Sequence, residues 1–356
     1  MLKRATKVLK SPRNIMSVLT IAVLVLIVYL TRDELLKAWE LLGKADLWLL
    51  ALLIPFQIMV YYAGGEMIFS YLRRKKLIGH ISWFEQTRIA LELNLVNHVF
   101  PSGGVSGISY TTWRLHKLGV SSAKSTFAQM IRYVAGFVSL MILLIIAVVV
   151  LAIDGEVNRY IVAWSFVLVL VVMMLVVALF YMFSSEARMD RVARQIARLI
   201  QRVMRVITLG RKPQLVSEQS VVRFFAEMHS DFDELMEDKK LLVRPLIWGA
   251  VYALFDIAMF MVAFWSLGES VNPAILLVGY GVAGLASLVA FTPGGAGVYE
   301  LIMIFFLTMA GVSNEVAIAG ILLTRTILLA GTIIFGYIFY QHALFKYGKT
   351  ERDPTV

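Results

Sequence analysis

Residues 97–107 read Asn97-His98-Val99-Phe100-Pro101-Ser102-Gly103-Gly104-Val105-Ser106-Gly107. They interrupt an apolar run that starts near Phe84. Proline removes a backbone donor and glycine tolerates turns, so a helix breaks here. Beyond the break the chain reaches Arg114, Lys117 and Lys124, and upstream lies the cluster Arg73, Arg74, Lys75 and Lys76. Short basic loops stay on the cytoplasmic side of a membrane. Both flanks then share one side, and the run enters and leaves there as a re-entrant pair of half-helices. Hydrocarbon offers no water to a broken backbone, so the break must be buried in protein or line a cavity.

A second broken run, Ala274–Ala310, is interrupted at Thr292-Pro293-Gly294-Gly295-Ala296-Gly297. Its flanks, Gly268–Asn272 and Gly311–Glu315, carry no basic residue, so this hairpin dips in from outside. Around the two hairpins lie six apolar runs, at Ile15–Leu30, Leu47–Leu72, Ser125–Ala152, Tyr160–Phe183, Leu242–Leu267 and Val316–Ala343. A helix of about 20 residues spans the roughly 30 Å hydrocarbon core. Lys3, Arg4, Lys7, Lys10 and Arg13 precede the first run, and Thr31-Arg32-Asp33-Glu34 follows it in place of a small-residue cleavage site. It therefore reads as a retained span and not a signal peptide. Arg32–Asp46 and Asp154–Arg159 become external loops. The expected fold is all-α: a polytopic protein of the cell membrane, with six full spans, two re-entrant hairpins and both termini in the cytoplasm.

Composition agrees with this reading. The 356 residues are 59% hydrophobic and 16% charged, with a mean hydropathy of +0.77. Soluble domains run at about 45–50% apolar and about 25% charged, so a soluble enzyme and a disordered chain are both excluded. Net charge is +10 with a pI near 9.7. The basic residues sit mostly at the ends of apolar runs, where they set orientation and meet anionic lipid; no nucleic-acid partner is expected. There are no cysteines, which excludes disulfides, thiol nucleophiles and Cys-type metal sites.

The order of elements repeats. Span, hairpin and span occur at about 46–152, and again at about 242–345 with opposite expected orientation. Pro101 and Pro293 are 192 apart, Arg132 and Arg325 are 193 apart, and Glu66 and Asp256 are 190 apart. The expectation is one integral membrane domain, 1–356, built as an inverted repeat around a cytoplasmic polar segment at about 184–240. Such folds place substrate near the bilayer midplane, between the halves.

Candidate site residues follow from chemistry that a membrane interior penalises. The breaks expose half-helix N-termini, whose free N–H groups suit a phosphate. Gly103, Gly104, Gly294 and Gly295 allow close backbone approach, and Ser102 and Thr292 offer hydroxyls or caps. Arg132 and Arg325 lie inside apolar spans, where arginine costs at least about 2.5–3.5 kcal/mol and needs a partner or a task. Guanidinium pairs bidentately with phosphate, so each is a candidate cargo ligand. The competing reading is a structural ion pair with Glu66, Asp256, Glu92 or Glu300. Arg88 and Glu92 stand i, i+4 and can pair. Asn94, Asn97 and His98 are placed to line a wet cavity or to hold the hairpin by hydrogen bonds. The five histidines show no metal-ligand spacing, and no metal or cofactor is expected.

In the polar stretch, Arg188, Arg191, Arg194, Arg198, Arg202 and Arg205 recur every three or four residues, opposite Val192, Ile196, Leu199, Val203 and Ile207. This is a basic amphipathic helix, suited to an anionic leaflet or to the protein's own cytoplasmic face. Asp231, Asp233, Glu234, Glu237 and Asp238 then read as a solvated acidic face.

With residues 97–107, Arg114 and Ala123–Arg132, and with Thr292-Pro293-Gly294-Gly295-Ala296-Gly297-Val298-Tyr299-Glu300, the chain resembles the flippase-like membrane domain of lysylphosphatidylglycerol synthases/flippases and its stand-alone relatives. The resemblance implies a domain that moves an anionic or aminoacylated lipid between leaflets. Two-domain members carry a C-terminal aminoacyl-transferase; the chain ends at Val356, so that activity is expected to be missing. No Walker A motif, dinucleotide fingerprint or Ser-His-Asp order is present.

The expected function is therefore non-enzymatic: a flippase-like transporter of a phosphate-bearing lipid, anionic or polyprenyl-phosphate-linked, with membrane lipid as partner and self-association left open. The alternatives are a membrane enzyme or accessory subunit of lipid-linked glycan or envelope-lipid synthesis, using Glu66, Glu92, Asp256 and Glu300, and an ion-coupled transporter of a small anion.

Overall fold

The computed structural model describes residues 29, 32–100, 104–154, 159–207, 217–289, 292 and 295–348. Among them there is no strand. The helices are α1 (Arg32–Leu42), α2 (Leu47–Ala51), α3 (Leu53–Arg74), α4 (Trp83–Val99), α5 (Val105–His116), α6 (Ser122–Asp154), α7 (Arg159–Phe183), α8 (Glu186–Ile207), α9 (Glu218–Glu237), α10 (Val243–Ser266), α11 (Pro273–Val289), α12 (Val298–Met309) and α13 (Asn314–Tyr347).

Five helical stretches are long and apolar enough to cross a membrane: Leu47–Arg74, Ser122–Val150, Val162–Phe183, Lys239–Ser266 and Asn314–Tyr347. They coincide with five of the six expected spans; the sixth, Ile15–Leu30, lies outside the described residues. Large apolar side chains stay exposed along them, including Ile145 on α6, Phe166 and Met174 on α7 and Phe335 on α13. In water each such surface would cost about 25 cal/mol per Å², so these faces belong in lipid. The chain is a multi-pass membrane protein. One expectation needs correction: Arg32–Leu42 is not a loop but a helix, packed against α13.

The long helices share one basic end. The Phe127 ring at the start of α6 lies 6.1 Å from that of Phe183 at the end of α7. Arg74 of α3 reaches Asp238 before α10 at 3.7 Å, and Arg114 of α5 lies over Tyr347 at the end of α13. At the opposite end, Asp46 N–H donates to Ser266 O at 2.8 Å. Asp46 also caps α2 by accepting from Trp48 N–H at 2.8 Å. One apolar core fills each end, around Leu72, Phe127 and Phe232 at the basic end and around Phe264, Leu276 and Met303 at the other.

Both broken runs fold back on themselves. A Cβ on Gly107 of α5 would collide with Asn97 and Leu93 of α4, so these helices touch closely. Gly279 of α11 likewise faces Met303 and Phe306 of α12. Gly104 and Gly297 stand just before the second helix of each pair, with φ of +88° and +84°. That left-handed backbone strains any residue with a side chain, which explains glycine at both turns. The α4–α5 pair opens at the basic end and the α11–α12 pair at the opposite end.

Helix α3 runs antiparallel to α10. Phe56 meets Phe255 and Tyr62 meets Trp248, each pair at 5.2 Å between ring centroids. Gln57 of α3 bonds to Leu328 O of α13, and Ser139 of α6 bonds to Leu246 O of α10. Ser139 and Thr332 are separated by 193 residues, the same offset that separates Arg132 from Arg325.

Candidate functional site

A polar cavity of about 110 Å³ lies where α3, α4, α10 and α13 meet. Its polar wall comes from Gln57 and Tyr61 of α3, Asn94 and His98 of α4, Tyr252 and Asp256 of α10, and Arg325 and Thr332 of α13. Three of the residues singled out in the sequence, His98, Asp256 and Arg325, therefore share one chamber. That volume suits a few waters or one small polar group, not an acyl chain.

One wall is rigid. Gln57 Nε2 donates to Leu328 O and to the Tyr61 hydroxyl, both at 2.8 Å. The Tyr61 and Thr332 hydroxyls lie 2.5 Å apart. These bonds tie α3 to α13 in a region where each unsatisfied polar group is costly. On α4, His98 Nδ1 lies 2.8 Å from Asn94 O, which orients the ring. Asn97 does not line the cavity; its Oδ1 accepts from Gly107 N–H at 3.1 Å and holds the hairpin shut.

Arg325 is held from two sides. Its Nε donates to Glu300 Oε1 at 2.7 Å, and its guanidinium lies 4.4 Å from the Tyr299 ring centroid. The other Glu300 oxygen accepts from Gly297 N–H at 2.7 Å. Glu300 thus uses one oxygen to cap α12 and the other to hold the arginine.

Arg132 differs. Its guanidinium lies over the Tyr133 ring at 5.7 Å, and among the described residues no carboxylate or hydrogen-bond acceptor is within bonding distance. It is partly buried. A Cβ added to Gly64 would come within 3.4 Å of the Tyr252 ring and 3.8 Å of Arg132 Nη2. Arg132 therefore sits beside Tyr252, on the flank of the cavity. The hairpin turn lies nearby, since a Cβ on Gly104 would approach the Tyr133 hydroxyl to 3.1 Å.

The remaining acidic candidates sit elsewhere. Glu66 pairs with neither Arg132 nor Arg325, as the structural ion-pair reading allowed, but with Arg73 at 2.6 Å, and it accepts from Gln86 Nε2 at 2.9 Å. Arg73 lies two helical turns further on, within reach of its long side chain. Glu92 is fully buried and accepts from Arg88 Nε at 2.8 Å, Tyr110 Oη at 2.8 Å and Arg114 Nε at 3.1 Å. It bolts α4 to α5 near the basic end. Gly295 is buried against Ser287 of α11, and Thr292 is exposed. Ser102, Gly103 and Gly294, with Pro101 and Pro293, lie outside the described residues.

The acidic patch also needs correction. Asp231 is buried, and Lys75 Nζ reaches its Oδ1 at 2.5 Å and Glu234 Oε2 at 2.6 Å. Burial alone would lower the Lys75 pKa, but hydrogen bonds and charge from Asp231 and Glu234 outweigh it and raise it. No group of three or more potential metal ligands forms among the described residues. The sequence reading missed Gln57, Tyr61, Tyr252 and Thr332. Gln57 and Thr332 were visible as polar residues in apolar spans, whereas a tyrosine in such a span reads as packing.

The model of the family described as the lysylphosphatidylglycerol synthase TM region matches residues 15–336. The chain is also similar to a UPF0104 membrane protein of Methanothermobacter thermautotrophicus, 25% identical over 239 residues, which covers 65% of this chain and 67% of that protein. No solved structure matches.

Proposed function

The chain belongs to the family of the lysylphosphatidylglycerol synthase TM region, and from that premise we propose that it moves a phosphate-bearing lipid between leaflets. It does so as a flippase-like transporter and not as an enzyme. The observation that carries this reading is the polar cavity among apolar helices, which joins His98, Asp256 and Arg325 with α3 and α4 on one side and α10 and α13 on the other.

In this reading the basic end faces the cytoplasm, with both termini, in the cell membrane. The helix pairs α4–α5 and α11–α12 are re-entrant hairpins of an inverted repeat. The antiparallel run of α3 against α10, the hairpins' opposite openings and the matched 193-residue offset support it. Cargo tails remain in the bilayer, because the chamber admits only a head group.

The two arginines divide the path. Arg132 stands ten residues into α6 from the basic end, and Arg325 eleven residues into α13 from the other. A phosphate meets Arg132 first, passes Tyr252, and reaches Arg325 by competing with Glu300 for its guanidinium. When cargo leaves, Glu300 neutralises Arg325 again. Such a carboxylate makes the empty state tolerable at a depth where a lone arginine costs at least about 2.5–3.5 kcal/mol. The enzyme alternative calls for paired carboxylates in the chamber. Of the four acidic candidates only Asp256 lines it, while Glu66 and Glu92 are closed off in ion pairs.

The test is reconstitution of purified protein into vesicles holding tail-labelled phosphatidylglycerol or a labelled polyprenyl phosphate. Protein-dependent movement of either lipid between leaflets, lost on Arg325→Ala, supports the reading. Movement equal to protein-free vesicles for both lipids removes it.

A further inference from the structure

Helix α8 has three faces, and the transport site uses none of them. At about 100° per residue, Met189, Ala193 and Ala197 fall on one line. All three are buried, Ala193 and Ala197 against Val221 of α9 and Met189 in the basic-end core. Roughly 100° around the helix lie Val192, Leu199 and Val203. Leu199 is 58% exposed and Val203 46% exposed. A further 100° or so brings Arg191, Arg198 and Arg202, all exposed. Of the apolar stripe expected from the sequence, Ile196 packs with Ala193 and Ala197 toward α9, and Leu199 and Val203 are left uncovered beside a row of arginines.

The start of α8 is fixed at the end of a membrane span. Only Ser184 and Ser185 separate it from α7. Arg188 folds back across this joint, donating to Tyr181 O at 2.7 Å and to Ser184 Oγ at 2.9 Å, with its guanidinium 4.0 Å from the Tyr181 ring centroid. His229 of α9 bonds to Phe183 O at 2.8 Å and pins the neighbouring helix to the same joint. The helix thus starts two residues beyond the end of a span, with Val192, Leu199 and Val203 six, thirteen and seventeen residues along it, and α9 holds it in place.

We propose that the Leu199–Val203 ridge lies in the head-group region of an anionic leaflet, with Arg191, Arg198 and Arg202 contacting lipid phosphates alongside it. Charge complementarity selects this occupant. A partner protein or a second copy would gain from covering the ridge, but the adjoining arginine row would then need matching acids. An anionic leaflet supplies apolar depth and negative charge side by side, and arginine stems lie along apolar surface while their heads reach phosphate. Each basic residue at such a surface contributes about 1 kcal/mol, so removing three lowers the seated-to-lifted ratio roughly a hundredfold. The helix then works as a stay that ties the α8–α9 unit to the membrane in proportion to its anionic lipid.

The chain has no cysteine, so single cysteines at 199, 203 and the exposed α9 position 219 can carry an environment-sensitive probe in the full-length protein. The protein is placed at one copy per nanodisc, and for comparison at two, in phosphatidylcholine alone or with phosphatidylglycerol. The expected result is shielding from an aqueous quencher at 199 and 203 but not at 219, stronger with phosphatidylglycerol. It should fall to the phosphatidylcholine level when Arg191, Arg198 and Arg202 are all changed to Gln. Three results overturn the proposal: probes at 199 and 203 as wet as the probe at 219 in both lipids, shielding independent of lipid charge and of the arginines, or shielding confined to discs holding two copies. Because lipid movement is not the readout, failure here leaves the transport reading standing, and the reverse.

Discussion

Arg325 and Glu300 form a tight pair, Nε to Oε1 at 2.7 Å, in which the carboxylate's second oxygen caps Gly297 at the turn of the α11–α12 pair. The arginine of one long helix is thereby linked to the backbone of a hairpin turn. Arg325→Ala should release that turn as well as remove a cargo ligand. Truncating one member of a buried pair costs about 3–5 kcal/mol, and less here because both side chains keep some exposure. The thermal midpoint should fall, and lipid movement should stop. Arg325→Gln with Glu300→Gln should recover most of the midpoint without recovering transport. A double variant that transports at the wild-type rate would assign Arg325 a structural task alone.

Glu92 makes a sharper stability test, because no transport step involves it. Glu92→Gln removes the carboxylate that pairs with Arg88 and leaves Arg114, itself fully buried, with only the longer contact to Glu85 at 3.7 Å. The expected loss is about 3–5 kcal/mol, with little folded protein recovered. Tyr110→Phe removes only one of the three bonds to the carboxylate and should cost less, about 1.5–3 kcal/mol. Unfolding curves in detergent check both, and equal effects would contradict the central place of Glu92.

Lys75 carries a pH signature outside the membrane. Its pKa is raised from 10.5: burial opposes the charge, but Asp231 and Glu234 more than compensate. A raised lysine pKa contributes stability that is complete below the unfolded value and is lost as pH climbs through the folded one. Lys75→Met strands the buried Asp231 and should cost about 3 kcal/mol. The gap between wild type and variant should stay constant from pH 7 to about 9.5 and narrow above the lysine range. A gap that changes between pH 7 and 9 would point to another titrating group.

What was legible in the sequence was local. Apolar length marked Leu47–Arg74 and Asn314–Tyr347, and Pro-Gly breaks marked where α4 gives way to α5 and α11 to α12. What escaped depended on partners chosen across the fold. Glu66 looked available to a central arginine because Arg73 had been read only as an orientation signal, although it lies two turns along the same helix. Tyr61 and Tyr252 passed as packing residues until α13 brought Thr332 to the first and α6 brought Arg132 beside the second. The packing face of α8, Met189, Ala193 and Ala197, escaped the sequence reading because alanine marks a buried face only once α9 lies against it, and Ile196 alone of the expected stripe turns toward that contact.

Arg132 separates cargo binding from structural pairing most cleanly, because among the described residues no carboxylate pairs with it and its guanidinium lies over the Tyr133 ring. A partly buried guanidinium without a carboxylate is a net burden on the fold, so Arg132→Ala should leave the thermal midpoint unchanged or raise it. Transport should nevertheless collapse if this group meets the phosphate first. Arg132→Lys should retain the charge but lose the bidentate fork, giving intermediate rates with a weaker apparent affinity for lipid. Adding a phosphatidylglycerol with short chains should raise the wild-type midpoint, as any ligand of the folded state does, and should do so less for Arg132→Ala. An alanine variant that unfolds earlier than wild type and still moves lipid normally would reverse the assignment, making Arg132 a structural group.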